Sequence, residues 1–157
     1  EKWFKLAAQQ GLKQAQYNLG TLYANGDGVA QDHAEAARWL RPAADQGDAR
    51  AQFALGLMYA RGTGVVQNYK KALNWYRLAA EQKESRALFN LGVMYANGDG
   101  VRRDPISAHM WFNLAVENGF TDGQKSRDKI AKKMDSDDIA KAERLAKMCA
   151  DLDFKGC

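Results

Sequence analysis

Histidine is nearly absent from this chain: 157 residues include two, His33 and His109. Serines are few as well, and Ser85, Ser107, Ser126 and Ser136 fall near expected helix starts or on expected surfaces. No histidine stands at a position matched to one of them, so no nucleophile and base pair up. A zinc site needs four nitrogen or sulfur ligands, and two scattered histidines with two cysteines do not provide them at metal-binding spacing. The expectation is no catalytic residue, no cofactor and no metal. Long apolar runs are missing too. Nothing approaches the roughly 18 residues that cross a bilayer, and no signal peptide is visible. Charge is weak: the net value is +4, residues 1–120 carry 14 Lys and Arg against 11 Asp and Glu, and residues 121–157 carry 9 against 8. A nucleic-acid binder concentrates its cations in a stripe. Here Arg102-Arg103 and Lys132-Lys133 read as solvated pairs, so no nucleic-acid partner is expected.

What the chain has instead is a period. Ala87 to Ala115 reads A-L-F-N-L-G-V-M-Y-A-N-G-D-G-V-R-R-D-P-I-S-A-H-M-W-F-N-L-A, and its skeleton recurs 36 residues earlier at Ala51, Leu55, Gly56, Tyr59, Gly62, Gly64, Val65, Ala72, Trp75 and Ala79. It recurs again at Ala15, Leu19, Gly20, Tyr23, Gly26, Gly28, Val29, Ala36, Trp39 and Ala43. Trp3, Trp39, Trp75 and Trp111 share the register and are all the tryptophans present. A fixed period of this length signals a stacked array.

Each unit encodes two helices. Ala51, Leu55, Met58 and Tyr59 share one face of the first. Ala72, Trp75, Tyr76, Ala79 and Ala80 share one face of the second. Glycines between them end the first helix, and Asp32, Asn68 or Asp104 caps the second. Asp32 with Glu35 has capping-box spacing, and Pro105 takes the first helical position. Gly20, Gly56 and Gly92 lie inside the first helix at a cost of about 1 kcal/mol each. Such a repeated cost implies a close crossing, read here as a helix of the adjacent pair, with the tryptophan as its large partner. A single pair cannot cover these faces, so burial must come from stacking.

The pattern A-x-x-x-L-G-x-x-Y-x-x-G-x-G-V-x-x-[DN]-x-x-x-A-x-x-W-x-x-x-A-A resembles the Sel1-like repeat, a relative of the tetratricopeptide repeat, over roughly residues 3 to 119. The resemblance implies an all-α fold, a right-handed α-α superhelix or solenoid, whose usual role is protein–protein contact. Units are expected at 2–11 (second helix only), 12–47, 48–83 and 84–119, followed by a C-terminal capping helix pair and tail over 120–157, all in one array. The chain thus opens part-way through a unit, as a mature or trimmed piece would. Two departures stand out. Lys83 replaces the glycine of Gly11, Gly47 and Gly119, which puts that turn in question, and Pro42 falls inside a second helix, where a kink is expected. In the terminal pair, Thr121 with Gln124 has capping-box spacing for a helix reaching about Met134, and Asp135 caps another carrying Ile139, Ala142, Ala146 and Cys149.

Cys149 and Cys157 lie eight residues apart, close enough for a disulfide that ties the tail to the last helix. Disulfides persist in oxidising compartments, which points to a bacterial periplasm or exterior; two free thiols in the cytoplasm are the alternative. The N-G-D-G sequences at 25–28 and 97–100 are not calcium loops: an EF-hand starting at Asn25 would meet Val29, Ala30 and Ala36 where ligands and glycine are needed. Nor does G-x-G here make a phosphate loop, lacking the strand and the lysine.

The family resemblance implies that first helices line a concave face. Positions away from the buried stripe form three rows: Gln14, Tyr17, Asn18, Thr21, Asn25; Arg50, Phe53, Ala54, Leu57, Arg61; and Arg86, Phe89, Asn90, Val93, Asn97. The aromatics at 17, 53 and 89 either pack successive first helices or contact a partner, whereas the arginines and asparagines read as contacts. The expected function is a non-enzymatic scaffold for a protein or peptide partner. The alternatives are an envelope hydrolase acting on cell-wall material, with His33 or His109 in its pocket, and less readily an RNA-reading helical repeat.

Overall fold

A computed structural model describes residues 2–157, with side chains from Lys5 onward; Glu1 and the Trp3 indole, first of the tryptophan series, lie outside the described residues. Among the described residues there are nine helices and no strand: α1 (Lys2–Gln9), α2 (Lys13–Asn25), α3 (His33–Asp45), α4 (Ala49–Arg61), α5 (Tyr69–Ala80), α6 (Ser85–Asn97), α7 (Pro105–Glu117), α8 (Gly123–Ala131) and α9 (Ser136–Asp151). The chain divides into two compact units, Glu1–Ala79 and Ala80–Cys157.

In the first unit the helix boundaries follow the local chemistry. α2 ends on Gly26 (φ 79°) and α4 on Gly62 (φ 70°), whose N–H groups return to the carbonyls of Leu22 and Met58. Glycine takes this left-handed cap without a Cβ penalty. The Asp32 carboxylate accepts from the Glu35 N–H and the Asn68 side-chain Oδ1 from the Lys71 N–H, both at 2.9 Å. The expected capping box does not close, however. The Glu35 carboxylate is engaged by Arg38 at 2.9 Å and by the Trp39 indole N–H at 3.0 Å. The Asp32 N–H instead donates to the Tyr23 carbonyl, as that of Asn68 does to Tyr59, each at 2.9 Å. One residue therefore caps the second helix and ties its start to the first.

The glycines inside the first helices do mark close crossings, but with a different partner from the one expected. A Cβ on Gly20 would lie 2.6 Å from Cγ of Leu40, and one on Gly56 2.4 Å from Cε1 of Tyr76. The crossing helix belongs to the same pair, and the residue filling the gap is the one after the tryptophan. The tryptophans reach back instead. Trp39 packs against the cluster of Ala8, Ala15 and Leu19, and Trp75 against that of Ala36, Leu40, Ala44, Ala51, Leu55 and Met58. Leu19 and Leu55 are fully buried, each worth about 1.5–3 kcal/mol. Pro42 leaves α3 continuous. It sits in the last turn, where its missing N–H leaves the Arg38 carbonyl without its helical donor.

The second unit repeats the scheme. α6 ends on Gly98 at φ 86°, Asp104 accepts from the Ile106 N–H at 3.0 Å ahead of Pro105, and a Cβ on Gly92 would lie 2.6 Å from Cδ1 of Phe112. Trp111 is buried. Lys83 leaves the turn intact: at φ 61° it adopts the left-handed conformation of Gly47 (φ 82°) and Gly119 (φ 96°). Its N–H returns to Ala80 at 2.8 Å, as that of Gly47 does to Ala44 at 2.9 Å.

α7 also packs on α8 and α9. α8 is shorter than the expected helix from Thr121 to Met134, and its N-cap, Asp122, makes no side-chain cap bond. The Thr121–Gln124 box is therefore replaced by a backbone turn, the Gln124 N–H meeting the Thr121 carbonyl at 3.0 Å. α9 is capped by Asp135, which accepts from the Asp138 N–H at 2.8 Å, and buries Ala142, Ala146 and Cys149. Cys149 and Cys157 form a disulfide with a Cα–Cα distance of 5.6 Å. The loop it closes buries Phe154, and Lys83 binds Asp153 at 2.8 Å.

Candidate functional site

Four of the residues singled out on the first helices converge in the first unit. The Arg50 guanidinium reaches Asp48 at 2.7 Å and Gln14 at 2.6 Å, and its carbon lies 4.3 Å from the centre of the Tyr17 ring. Gln14 donates in turn to Asn18 at 2.9 Å. α2 and α4 are thereby joined side by side through polar groups and a cation–π contact. Asp48 anchors the cluster. Burial opposes its ionisation, but the Arg50 hydrogen bond, the Ala51 N–H and the Arg50 charge outweigh it and hold the carboxyl below its ordinary value.

The other positions separate into packing and surface. Phe53 is buried, its ring centre 6.0 Å from that of Tyr76 on α5, and burial pushes the Tyr76 hydroxyl pKa up. In the second unit Phe89 lies 5.4 Å from Phe112 and 4.8 Å from Phe120. Both phenylalanines of the ladder thus have ring partners on the second-helix side. Arg61, at the end of α4, is exposed, as is Arg86, which binds Glu84 at 2.8 Å; Asn90 is half-buried on α6. Asn25 donates to Asp27 and Asn97 to Asp99, each at 3.0 Å, which is local turn chemistry.

Sequence reasoning missed a cleft of about 330 Å³ in the second unit, lined by Val93, Ala96 and Asn97 of α6, Arg103, Phe112 of α7, Ser126, Lys129 and Ile130 of α8, and Lys133. Arg103 and Lys133, read as solvated pairs with their neighbours, face one cavity. The available signal was the density of basic residues from Lys125 to Lys133.

His109 is buried, and its Nδ1 has no hydrogen-bond partner. Burial lowers its pKa, the Arg127 charge adds to this, and Glu143 and Asp128 oppose it. His33 opens α3 with its carbonyl against Gly64, where a Cβ would lie 2.2 Å away. Neither histidine lines the cleft. Among the described residues no group of three His, Cys, Asp or Glu is placed to hold a metal, and no helix is long and apolar enough to cross a membrane.

The Sel1 repeat family model matches residues 1–12, 13–48, 49–84 and 85–120. Among solved structures, a protective antigen of uropathogenic Escherichia coli, c5321, which displays an SLR fold, is 44% identical, with a TM-score of 0.74, over 75% of this chain and 25% of its own. A Sel1 repeat protein from Oxalobacter formigenes is 37% identical, with a TM-score of 0.71, over 75% of this chain and 47% of its own. The chain therefore spans a quarter and just under half of these two bacterial proteins. No curated protein matches it. Its fold is the all-α helix-pair solenoid of these structures, and proteins built this way generally serve as protein-interaction scaffolds. The chain belongs to the Sel1 repeat family.

Proposed function

We propose that this chain is a non-enzymatic binding module that holds a protein or peptide partner on the faces of its first helices, α2 and α4 in the first unit and α6 in the second. The observation that carries this reading is the row structure of those helices. Beside each buried stripe stands a second row in repeat register that carries polar side chains at its ends, and in the first unit Gln14, Tyr17, Asn18 and Arg50 are already held together. A surface ordered before binding loses less side-chain freedom on association, and amide side chains suit a peptide backbone. The disulfide is compatible with an oxidising compartment, and we place the protein in a bacterial periplasm or outside the cell.

Arg50 supports the fold as well as the face, so the test uses Asn18, Arg86 and Asn90. Replacing all three with alanine should leave the helical circular dichroism unchanged and remove the partners that co-purify from native host extract. An unchanged set of partners with an intact fold rejects the surface.

A further inference from the structure

We infer that the cleft between α6, α7 and α8 captures the C-terminal residue of a peptide, with the carboxylate on its cations and an apolar last side chain on its floor. This rests on the reading that the chain binds peptides, and it assigns the second unit a partner chemistry. Three cations, Arg103, Lys129 and Lys133, line the cleft and are exposed, whereas Phe112 is buried and Val93 and Ile130 are half-buried. The charges therefore sit at the mouth and the apolar groups below them.

Among the described residues none of these three cations takes part in an ion pair. Of the acids nearest in sequence, Asp128 is held by Arg127, Asp104 caps α7, and Asp99 accepts from Asn97 at the edge of the cleft. Lys129 on α8 and Lys133 in the turn after it line the same cavity, where their like charges repel. An anion seated between them relieves that repulsion, and charge-assisted hydrogen bonds are the strong kind.

The cavity volume narrows the choice of anion. At about 330 Å³ the cleft is at the small end of ligand sites, with room for one residue rather than a chain. Carboxylate and apolar group must then come from the same residue. An internal Asp or Glu does not meet this condition, because in an extended peptide the next side chain points to the opposite side. A terminal leucine or phenylalanine does. Val93 and Asn97 also belong to the α6 row of the proposed binding face, so a peptide lying along α6 would end here.

The test measures binding of fluorescein-labelled Gly-Ser-Gly-Ser-Gly-Leu as the free acid and as the amide, by anisotropy at low salt, to the whole chain and to its Lys129→Gln/Lys133→Gln variant. The expected result is at least about tenfold tighter binding of the acid than of the amide, lost in the variant, and at least about tenfold weaker binding when the last residue is glycine. Acid and amide binding alike, or neither binding, overturns the inference. So does displacement by equimolar inorganic phosphate, which would mark a simple anion site. The two readings fail separately. If the peptide does not bind while the Asn18, Arg86 and Asn90 variant still loses its partners, the cleft is wrong and the helix faces stand. If the peptide binds and that variant keeps its partners, the cleft stands and the helix faces are wrong.

Discussion

Replacing Gly56 with alanine sets two known effects against each other. In an unobstructed helix the change stabilises by about 1 kcal/mol. Here the new methyl would lie 2.4, 2.5 and 3.2 Å from three ring carbons of Tyr76. Ordinary carbon contacts are about 3.5–4.0 Å, so the ring must move by roughly 1 Å. It has little room, being almost wholly buried with Phe53 beside it. Overpacking of this kind costs about 1–3 kcal/mol, and the clash with a rigid ring belongs at the upper end. Gly56→Ala should therefore destabilise by about 1–2 kcal/mol net, a fall in Tm of about 2–8 °C for a chain of this size. Gly92→Ala meets Phe112 at 2.6 Å and Gly20→Ala meets the branch carbon of the equally buried Leu40 at 2.6 Å, and both should behave alike. The decisive measurement is a double-mutant cycle in urea. With Tyr76→Ala already present the ring is gone, and Gly56→Ala should become neutral or stabilising, a coupling of about 2 kcal/mol. A neutral Gly56→Ala in the intact protein, or the same cost in both backgrounds, refutes the crossing as the reason for the glycine.

Four further outcomes follow from the contacts described. Replacing Cys149 and Cys157 with serine should lower stability by about 2.5 kcal/mol, the loop-closure value for a spacing of eight, measured by urea midpoint under oxidising conditions. The folded pKa of His109 is depressed, so the folded state resists a proton that the unfolded state accepts below about 6.5; stability should fall as pH drops through that value, by up to about 1.4 kcal/mol per unit, and His109→Leu should flatten the slope. Asp48 titrates below its ordinary 3.8, so its contribution is present above that pH and lost in acid; Asp48→Ala should cost about 2 kcal/mol at pH 7, from a lost cap and a lost charge-assisted bond. Lys83→Gly should relieve about 1 kcal/mol of left-handed backbone cost while removing an exposed ion pair of lesser worth, raising the thermal midpoint slightly; a lower midpoint would show that the Asp153 contact dominates.

The helix pairs and caps were legible because the period repeats the same physical demand at the same place: one glycine or one capping residue could be chance, and three in register could not. The partner of each glycine was not legible. A helical wheel shows which side of α4 is crowded but not whether α5 or a neighbouring pair crosses it, and only coordinates put Tyr76 rather than a tryptophan there. The turn at Lys83 was misjudged for a related reason. Glycine is the cheapest residue for a left-handed turn, but a backbone held by bonds on both sides imposes that conformation on lysine too. Near Thr121 the chain leaves the period, and the capping-box spacing had no repeat to check it against.

The candidate site shows where such reading ends. Phenylalanine at 53 and 89 suits a core as well as a groove, and the residue type does not distinguish them; ring partners at 4.8–6.0 Å do. Arginine at 50 was taken for a contact, and its guanidinium binds Asp48 at the cap of α4 and Gln14 and Tyr17 on α2, so it also orders those side chains for a partner. The cleft reverses the case. Arg103 and the pair Lys129 and Lys133 come from segments that no periodicity relates, and Arg103 and Lys133 read as ordinary solvated charge. Repetition makes the scaffold readable because it is identical from unit to unit. A site that must tell one ligand from another departs from that identity, and in the second unit the departure is concentrated where α8, which belongs to no repeat, packs on α7 and lines a cleft with α6.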